Sequence, residues 1–173
     1  MKALLVLAFV AALALPGQAA AKQRPRVLAI HYATDVNPVT QDWLNSQLDR
    51  AVKQGYDAAV IVLDTPGGLE DSMRKIVQKE LGLKIPVIVY VSPEGARAAS
   101  AGVWISEAAD ELAMAPQTNI GSSTPIDSSG QNIGSDLHRK IVNDAAASLR
   151  ALARSHGRNV AWADAARAPA GDT

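Results

Sequence analysis

Apolar runs alternate with stretches of helical periodicity along most of this chain. The runs at residues 58–63 and 86–91 consist of β-formers without polar alternation, which predicts parallel strands covered on both faces. Shorter strands are predicted at residues 26–30 and 111–115. Helices are predicted from Asn37-Pro38 to Gly55, over 69–81, over 98–109, over 135–156 with Gly157 as the cap, and after Asn159. Strands that alternate with helices predict a parallel α/β fold.

Three stretches interrupt this alternation. His31 and Tyr32 are expected to lead from the first strand into a polar turn. Residues 117–134 are rich in Gly, Ser, Thr, Asn and Pro, which predicts a long loop of the kind that often lines a site. The first 21 residues contain Lys2, an apolar run and a cluster of small residues that ends at Ala21 and could be a cleavage site. This pattern predicts a secretory signal peptide, with a retained N-terminal anchor as the alternative. Residues 22–173 then form one domain.

The composition narrows the classes of function. The formal net charge is zero, so the chain does not carry the excess positive charge that is typical of nucleic-acid-binding domains. The absence of cysteine excludes disulfides, thiolate zinc sites and cysteine nucleophiles. Histidine and carboxylate residues lack the spacing of metal ligands, so we expect neither a metal nor another cofactor.

The segment Asp64-Thr65-Pro66-Gly67-Gly68 follows the second strand. Two glycines there allow a tight turn that exposes successive N–H groups, as an oxyanion hole requires. A simple strand-to-helix turn is the alternative interpretation.

Ser100 is the favoured nucleophile. It lies among small residues where a helix begins, so helix N–H groups and the helix dipole would stabilise its alkoxide. A serine packed in a small-residue helix is the alternative. Weaker candidates without this context are Ser92, Ser106, Ser122 and Ser123.

Lys140, near the start of the long helix, is the favoured general base. A lysine base must be neutral, which requires a desolvating apolar pocket. A solvated helix lysine is the alternative. A Ser–His arrangement would instead use His31, His138 or His156 as the base. His31, at the end of a strand, is the hardest of the three to dismiss. His156 is more simply explained as a positive charge near the C-terminus of the helix.

These motifs resemble the NfeD-type membrane-associated serine proteases, partners of stomatin-like proteins, within the ClpP-like class. The matching stretches are residues 61–68, 93–102, 114–116 and 119–121, and Lys140 with Gly157-Arg158-Asn159. The resemblance implies a ClpP/crotonase-like fold with repeated β-β-α units. It also implies endopeptidase activity through a Ser100–Lys140 dyad.

The same resemblance implies further roles and partners. Backbone N–H groups of Gly68 and Ala101 would hold the oxyanion, and Gly67 and Gly121 would contact substrate. Substrates would be apolar segments, including the tails of stomatin-like membrane proteins, and homo-oligomers are common in the class. Relatives continue beyond residues 157–159 with more of the domain and with membrane spans, so this chain is expected to be truncated at its C-terminus. The expected location is periplasmic or otherwise extracytoplasmic.

Three other functions remain open at this stage. One is a signal-peptide-peptidase-like enzyme with the same dyad. Another is a catalytically inactive scaffold that binds membrane proteins. The third is a crotonase-like acyl-CoA enzyme, which export and the Ser/Lys pair disfavour.

Overall fold

A computed structural model describes residues 24–123 and 135–166 of the chain. In chain order the elements are β1 (Val27–Ala33), α1 (Pro38–Lys53), β2 (Ala58–Asp64), α2 (Glu70–Leu81), β3 (Val87–Val91), β4 (Arg97–Ala99), α3 (Ala101–Ala108), β5 (Glu111–Met114), β6 (Asn119–Gly121), α4 (Ser135–Ser155) and α5 (Val160–Ala165). Four parallel strands form a sheet in the order β1-β2-β3-β5, and β4 pairs in parallel with β6. The predicted parallel α/β fold is confirmed. The β-β-α pattern occurs at β3-β4-α3 and in the order β5, β6, α4, whereas the first two units have one strand each.

Local sequence signals account for the helix ends. The side chain of Asn37 accepts hydrogen bonds from the N–H groups of Val39 and Thr40 at 2.9 and 3.0 Å, and Thr40 Oγ1 accepts the N–H of Asn37 at 3.0 Å. This capping box starts α1 where the sequence predicts. The side chain of Asn159 caps α5 by accepting the N–H groups of Ala161 and Trp162, as predicted. Helix α4 ends at Ser155, and Gly157 follows with a φ of 66°.

The main core lies between the sheet and the helices on one of its faces. Alternate residues of β1 and β2, including Ile30, Ile61 and Leu63, are buried there with Leu44 and Leu48 of α1. The intervening residues of β1 are exposed and those of β2, such as Val60 and Val62, are only half-buried. The prediction of two covered faces is therefore not met within the described residues.

The first strand is longer than predicted. His31 and Tyr32 continue β1 instead of forming a turn, because they keep the parallel register with Val62 and Leu63. Tyr32 is fully buried and stacks on Trp43, with 6.4 Å between ring centroids, while its hydroxyl donates to Thr40 Oγ1 at 2.9 Å. Non-local packing therefore extends the strand.

Two short strands were not predicted. Residues 97–99 form β4, so α3 begins at Ala101 and not at residue 98. Residues 119–121, inside the predicted loop, form β6. The remainder of that loop, at 124–134, and the predicted signal peptide lie outside the described residues. None of the described helices is apolar over a stretch long enough to span a bilayer.

Glu80, in the last turn of α2, predicts an unusual dependence of stability on pH. Its side chain is buried, and neither carboxyl oxygen has a hydrogen-bond partner in the described structure. Burial, together with the nearby charge of Asp110, raises the pKa of Glu80 well above its usual 4.5. The folded state then keeps a proton that the unfolded state loses, so stability declines as pH rises above about 4.5.

We expect Glu80→Gln to remove this decline and to raise the free energy of unfolding at pH 7.5, because a neutral amide leaves no buried charge at that pH. Denaturant titrations at pH 5 and pH 7.5 measure the effect. Glu94→Gln, at an exposed position, serves as the control. Equal pH dependence in the Glu80 variant and the native chain would contradict the interpretation.

Candidate active site

Ser100 occupies a sharp turn between a strand and a helix. It is the single residue between β4 and α3, and its backbone has φ 50° and ψ −117°. A non-glycine residue in this region carries strain of about 1–3 kcal/mol. In α/β-hydrolases the nucleophilic serine sits on a strained strand-to-helix turn because such a turn presents the hydroxyl. The hydrogen bond from the Ser100 N–H to the Gly121 carbonyl, at 3.1 Å, holds the turn.

Gly67 lies directly against Ser100. Its φ is 103°, and a Cβ at this position would overlap the Cβ of Ser100 and lie 3.0 Å from its Oγ. Only glycine allows the two backbones to come this close. The structure therefore brings the predicted glycine segment and the predicted nucleophile together.

Gly68 presents its backbone to the side away from Val36. The Val36 N–H donates to the Gly67 carbonyl and the Leu69 N–H donates to the Val36 carbonyl, both at 2.8 Å. In this parallel pairing the N–H and C=O of Gly68 point to the opposite side. Ala101, the first residue of α3, likewise has no intrahelical acceptor for its N–H. Neither N–H group takes part in these local backbone hydrogen bonds, which is compatible with the predicted role.

Thr65 joins the two halves of the site. Its N–H donates to the Arg97 carbonyl at 2.7 Å, and its carbonyl accepts the N–H of Ala99 at 3.1 Å. Its hydroxyl accepts the N–H of Gly67 at 3.1 Å. The amino-acid sequence alone indicates no separate role for Thr65; the signal that could have shown one is a polar residue at the end of a buried strand. Thr65 is fully buried.

Gly121 lies beside the serine turn. It is opposite Ala99 in the β4–β6 pair, and its φ is 149°. A Cβ at this position would meet no atom within 4 Å, so the space beside it is open. An open flank next to the nucleophile is compatible with the predicted contact to substrate.

Lys140 is exposed near the beginning of α4. Within residues 24–123 and 135–166 no hydrogen bond joins it to Ser100, and the dry pocket that a lysine base requires is not formed there. Among the described residues, the structure therefore brings Ser100 and the predicted oxyanion N–H groups close to one another but shows no contact between them and Lys140.

The histidine alternatives find little support among the described residues. His31 is exposed on β1, on the face of the sheet opposite the main core. Nδ1 of His156 lies 3.0 Å from the Leu152 carbonyl and 3.1 Å from Ser155 Oγ, at the end of α4 as predicted. The side chain of His138 lies outside what the structure describes.

Among the weaker serine candidates, Ser106 is fully buried, and Ser123 Oγ donates to the Ala166 carbonyl at 2.9 Å. Both hydroxyls are therefore poorly placed to attack a substrate. The described ranges contain no cluster of three or more His, Cys, Asp or Glu side chains that could hold a metal ion.

The fold and the serine turn place the molecule among the ClpP-like α/β proteins. ClpP1 from Listeria monocytogenes superposes with a TM-score of 0.59 over 80% of this chain and 78% of that one, at 18% identity, which establishes the fold alone. The family is shown by sequence: the model of the NfeD1b N-terminal domain matches residues 26–171. The chain belongs to the NfeD1b N-terminal domain family, and the predicted family is confirmed.

Characterised relatives share this region. Membrane-bound protease PH1510 from Pyrococcus horikoshii is 42% identical over 131 residues, which is 75% of this chain and 30% of that protein. Membrane protein NfeD1b from Bacillus subtilis is 35% identical over 103 residues, or 57% of this chain and 23% of that protein. The chain therefore spans less than a third of the length of these relatives.

Solved structures of the 1510-N membrane-bound stomatin-specific protease are also similar. A serine-to-alanine mutant has a TM-score of 0.75 and 36% identity, covering 82% of this chain and 69% of that one. A lysine-to-alanine mutant in complex with a substrate peptide has a TM-score of 0.76 and 35% identity, covering 83% and 66%.

Proposed function

We propose that this chain carries the catalytic part of an exported serine endopeptidase that cleaves apolar segments of membrane-associated proteins. Ser100 is the nucleophile, Lys140 is the general base, and the N–H groups of Gly68 and Ala101 hold the oxyanion. The observation that carries the proposal is the strained backbone of Ser100 at a strand–helix junction, in contact with Gly67.

The proposed reaction is an acyl transfer through a covalent intermediate. Lys140 removes the hydroxyl proton of Ser100 as Oγ attacks the scissile carbonyl, and the resulting oxyanion accepts hydrogen bonds from Gly68 and Ala101. The protonated lysine then gives its proton to the leaving amine. Water hydrolyses the acyl-enzyme by the same route in reverse. Because Lys140 is exposed in the described structure, the first turns of α4 must bring it to Ser100 when substrate is bound.

The relatives support a peptide substrate. One similar structure is of a protease named as stomatin-specific, and another holds a substrate peptide. We extend this to stomatin-like tails for the present chain, with Gly67 and Gly121 flanking the bound peptide. The proposed location is extracytoplasmic, after removal of residues 1–21. Assembly into homo-oligomers is part of the same proposal.

The exposure of Lys140 favours a second candidate function, an inactive scaffold that binds membrane proteins at the same site. A fluorophosphonate probe distinguishes the two, because it forms a stable adduct only with an activated serine. We expect the protein to be labelled on the peptide that contains Ser100, with labelling lost in Ser100→Ala. Mass spectrometry of the digested adduct locates the label. A native protein that stays unlabelled while a known serine protease reacts would favour the scaffold.

A further inference from the structure

A chain of ion pairs links the beginning of α2 to α4. Arg74 donates from Nε to Glu70 Oε1 at 2.8 Å, and its Nη2 lies 2.8 Å from Asp144 Oδ2. We call these three residues the Arg74 bridge. Glu70 is the first residue of α2 and follows the Gly67-Gly68 segment closely, whereas Asp144 lies on α4. The bridge therefore connects the oxyanion side of the site to the helix that carries Lys140.

Asp144 and Lys140 lie on the same face of α4. They are four residues apart, so their side chains are neighbours, with about 5–6 Å between Cβ atoms. By holding Asp144, Arg74 turns this face of α4 towards the first turns of α2. The Gly67 backbone just before α2 is in contact with Ser100. Lys140 therefore lies on the face of α4 that the bridge holds against α2.

The bridge lies immediately before the part of α4 that packs into the core. Five described residues of α4 are buried, and all of them follow Asp144 in the chain: Ala145, Ala146, Leu149, Leu152 and Ala153. Before it, Arg139 and Lys140 are exposed and Ile141 is only half-buried. The first turns of α4 therefore have little hydrophobic packing to set their direction, and an ion pair at Asp144 is well placed to do so.

The bridge contributes little to overall stability. The side chains of Arg74, Glu70 and Asp144 are 42%, 53% and 69% exposed. Ion pairs this exposed contribute about 0–1 kcal/mol to folding and weaken as salt is added. A purely structural role would consequently leave turnover almost unchanged when the pair is removed. An effect on turnover much larger than the effect on stability would indicate a role in positioning.

We propose that Arg74 is a positioning residue for the Ser100–Lys140 pair. Through Asp144 it keeps the face of α4 that carries Lys140 beside α2, which limits the movement that Lys140 needs to reach Ser100 when substrate is bound. This rests on the proposed function, because it assigns Arg74 an effect only on a reaction in which Lys140 is the base.

The test is a charge-swap cycle on the full-length protein with an apolar fluorogenic peptide. We expect Arg74→Glu and Asp144→Arg each to lower kcat about tenfold or more with little change in KM. The double variant, which restores an opposite-charge pair, is expected to recover most of kcat. In the native protein kcat should fall as NaCl rises from 0.05 to 0.5 M, whereas Arg74→Met should be less sensitive to salt.

Lys79→Met is the matched control. Lys79 pairs with Asp49 at 2.7 Å and joins α1 to α2, so its loss removes an interhelical ion pair away from the site. We expect it to lower the melting temperature as much as Arg74→Met does and to leave kcat unchanged. The inference is overturned if Arg74→Met keeps the native kcat, or if the charge swap fails to recover what the single variants lose. If Ser100→Ala remains active, the proposed function itself fails. If Ser100→Ala and Lys140→Ala are inactive while Arg74→Met is fully active, only this inference is overturned.

Discussion

Ser100→Ala is expected to lower peptide cleavage by at least about 10⁴-fold while leaving the fold intact. The change removes the attacking oxygen, and the oxyanion donors alone retain only a small part of the rate enhancement. The Ser100 hydroxyl makes no capping hydrogen bond, so its loss costs little stability. Initial rates with an apolar fluorogenic peptide measure the effect. The melting temperatures of the native protein and the variant are measured alongside, to show that the fold is unchanged.

A matched pair of lysine variants completes this prediction. Lys140→Ala and Lys140→Arg should both be inactive, because alanine has no base and arginine stays protonated. Lys84→Ala serves as the control, since Lys84 is exposed to solvent like Lys140. Turnover that survives Ser100→Ala would assign the nucleophile to another residue and remove the dyad.

Gly67→Ala is expected to have the second-largest effect, a loss of cleavage of about 10²-fold or more. The added methyl group would overlap the Cβ of Ser100 and lie 2.9 Å from the Ala99 carbonyl oxygen, so the serine turn must shift. A displacement of about 1 Å at reacting atoms is enough for a loss of this size. The rate of peptide cleavage and the rate of fluorophosphonate labelling each measure the loss of reactivity at the serine.

Gly55→Ala provides the matched control for Gly67→Ala. Gly55 also has a positive φ, of 67°, but a Cβ there would meet no atom within 4 Å. Both variants place an alanine at a positive φ, but only the methyl group at position 67 would meet Ser100 and Ala99. Equal activity in the two variants would show that Gly67 does not need to approach Ser100 closely.

Local signals predicted most of the elements. The extent of α1 follows from the Asn37 cap and the periodic residues Leu44 and Leu48, which are fully buried. The second and third strands follow from unbroken β-former runs, which lie within one residue of β2 and β3. These features depend on neighbours in sequence, which is why a single sequence is enough to predict them.

Features that depend on distant partners were missed. Residues 97–99 form a strand because Thr65 and residues 119–121 supply backbone partners, although the alanine-rich sequence favours a helix. Tyr32 stays in β1 because its ring packs on Trp43. For the site, the sequence predicts the glycine segment and a serine near the start of a helix. The strained turn at Ser100 depends on the pairing of β4, and the exposure of Lys140 depends on how α4 is oriented in three dimensions.

The contacts of Thr65 with β4 have a consequence for how this protein can diverge. The segment before Gly67 and the strand before Ser100 are linked by main-chain hydrogen bonds at Thr65, from its N–H to Arg97 and from Ala99 to its carbonyl. Main-chain bonds of this kind survive side-chain replacement. Homologues can therefore exchange the side chain at position 97 for another residue that keeps its N–H and still hold Ser100 in line with the Gly67-Gly68 segment, whereas a single inserted residue in either segment would shift one against the other.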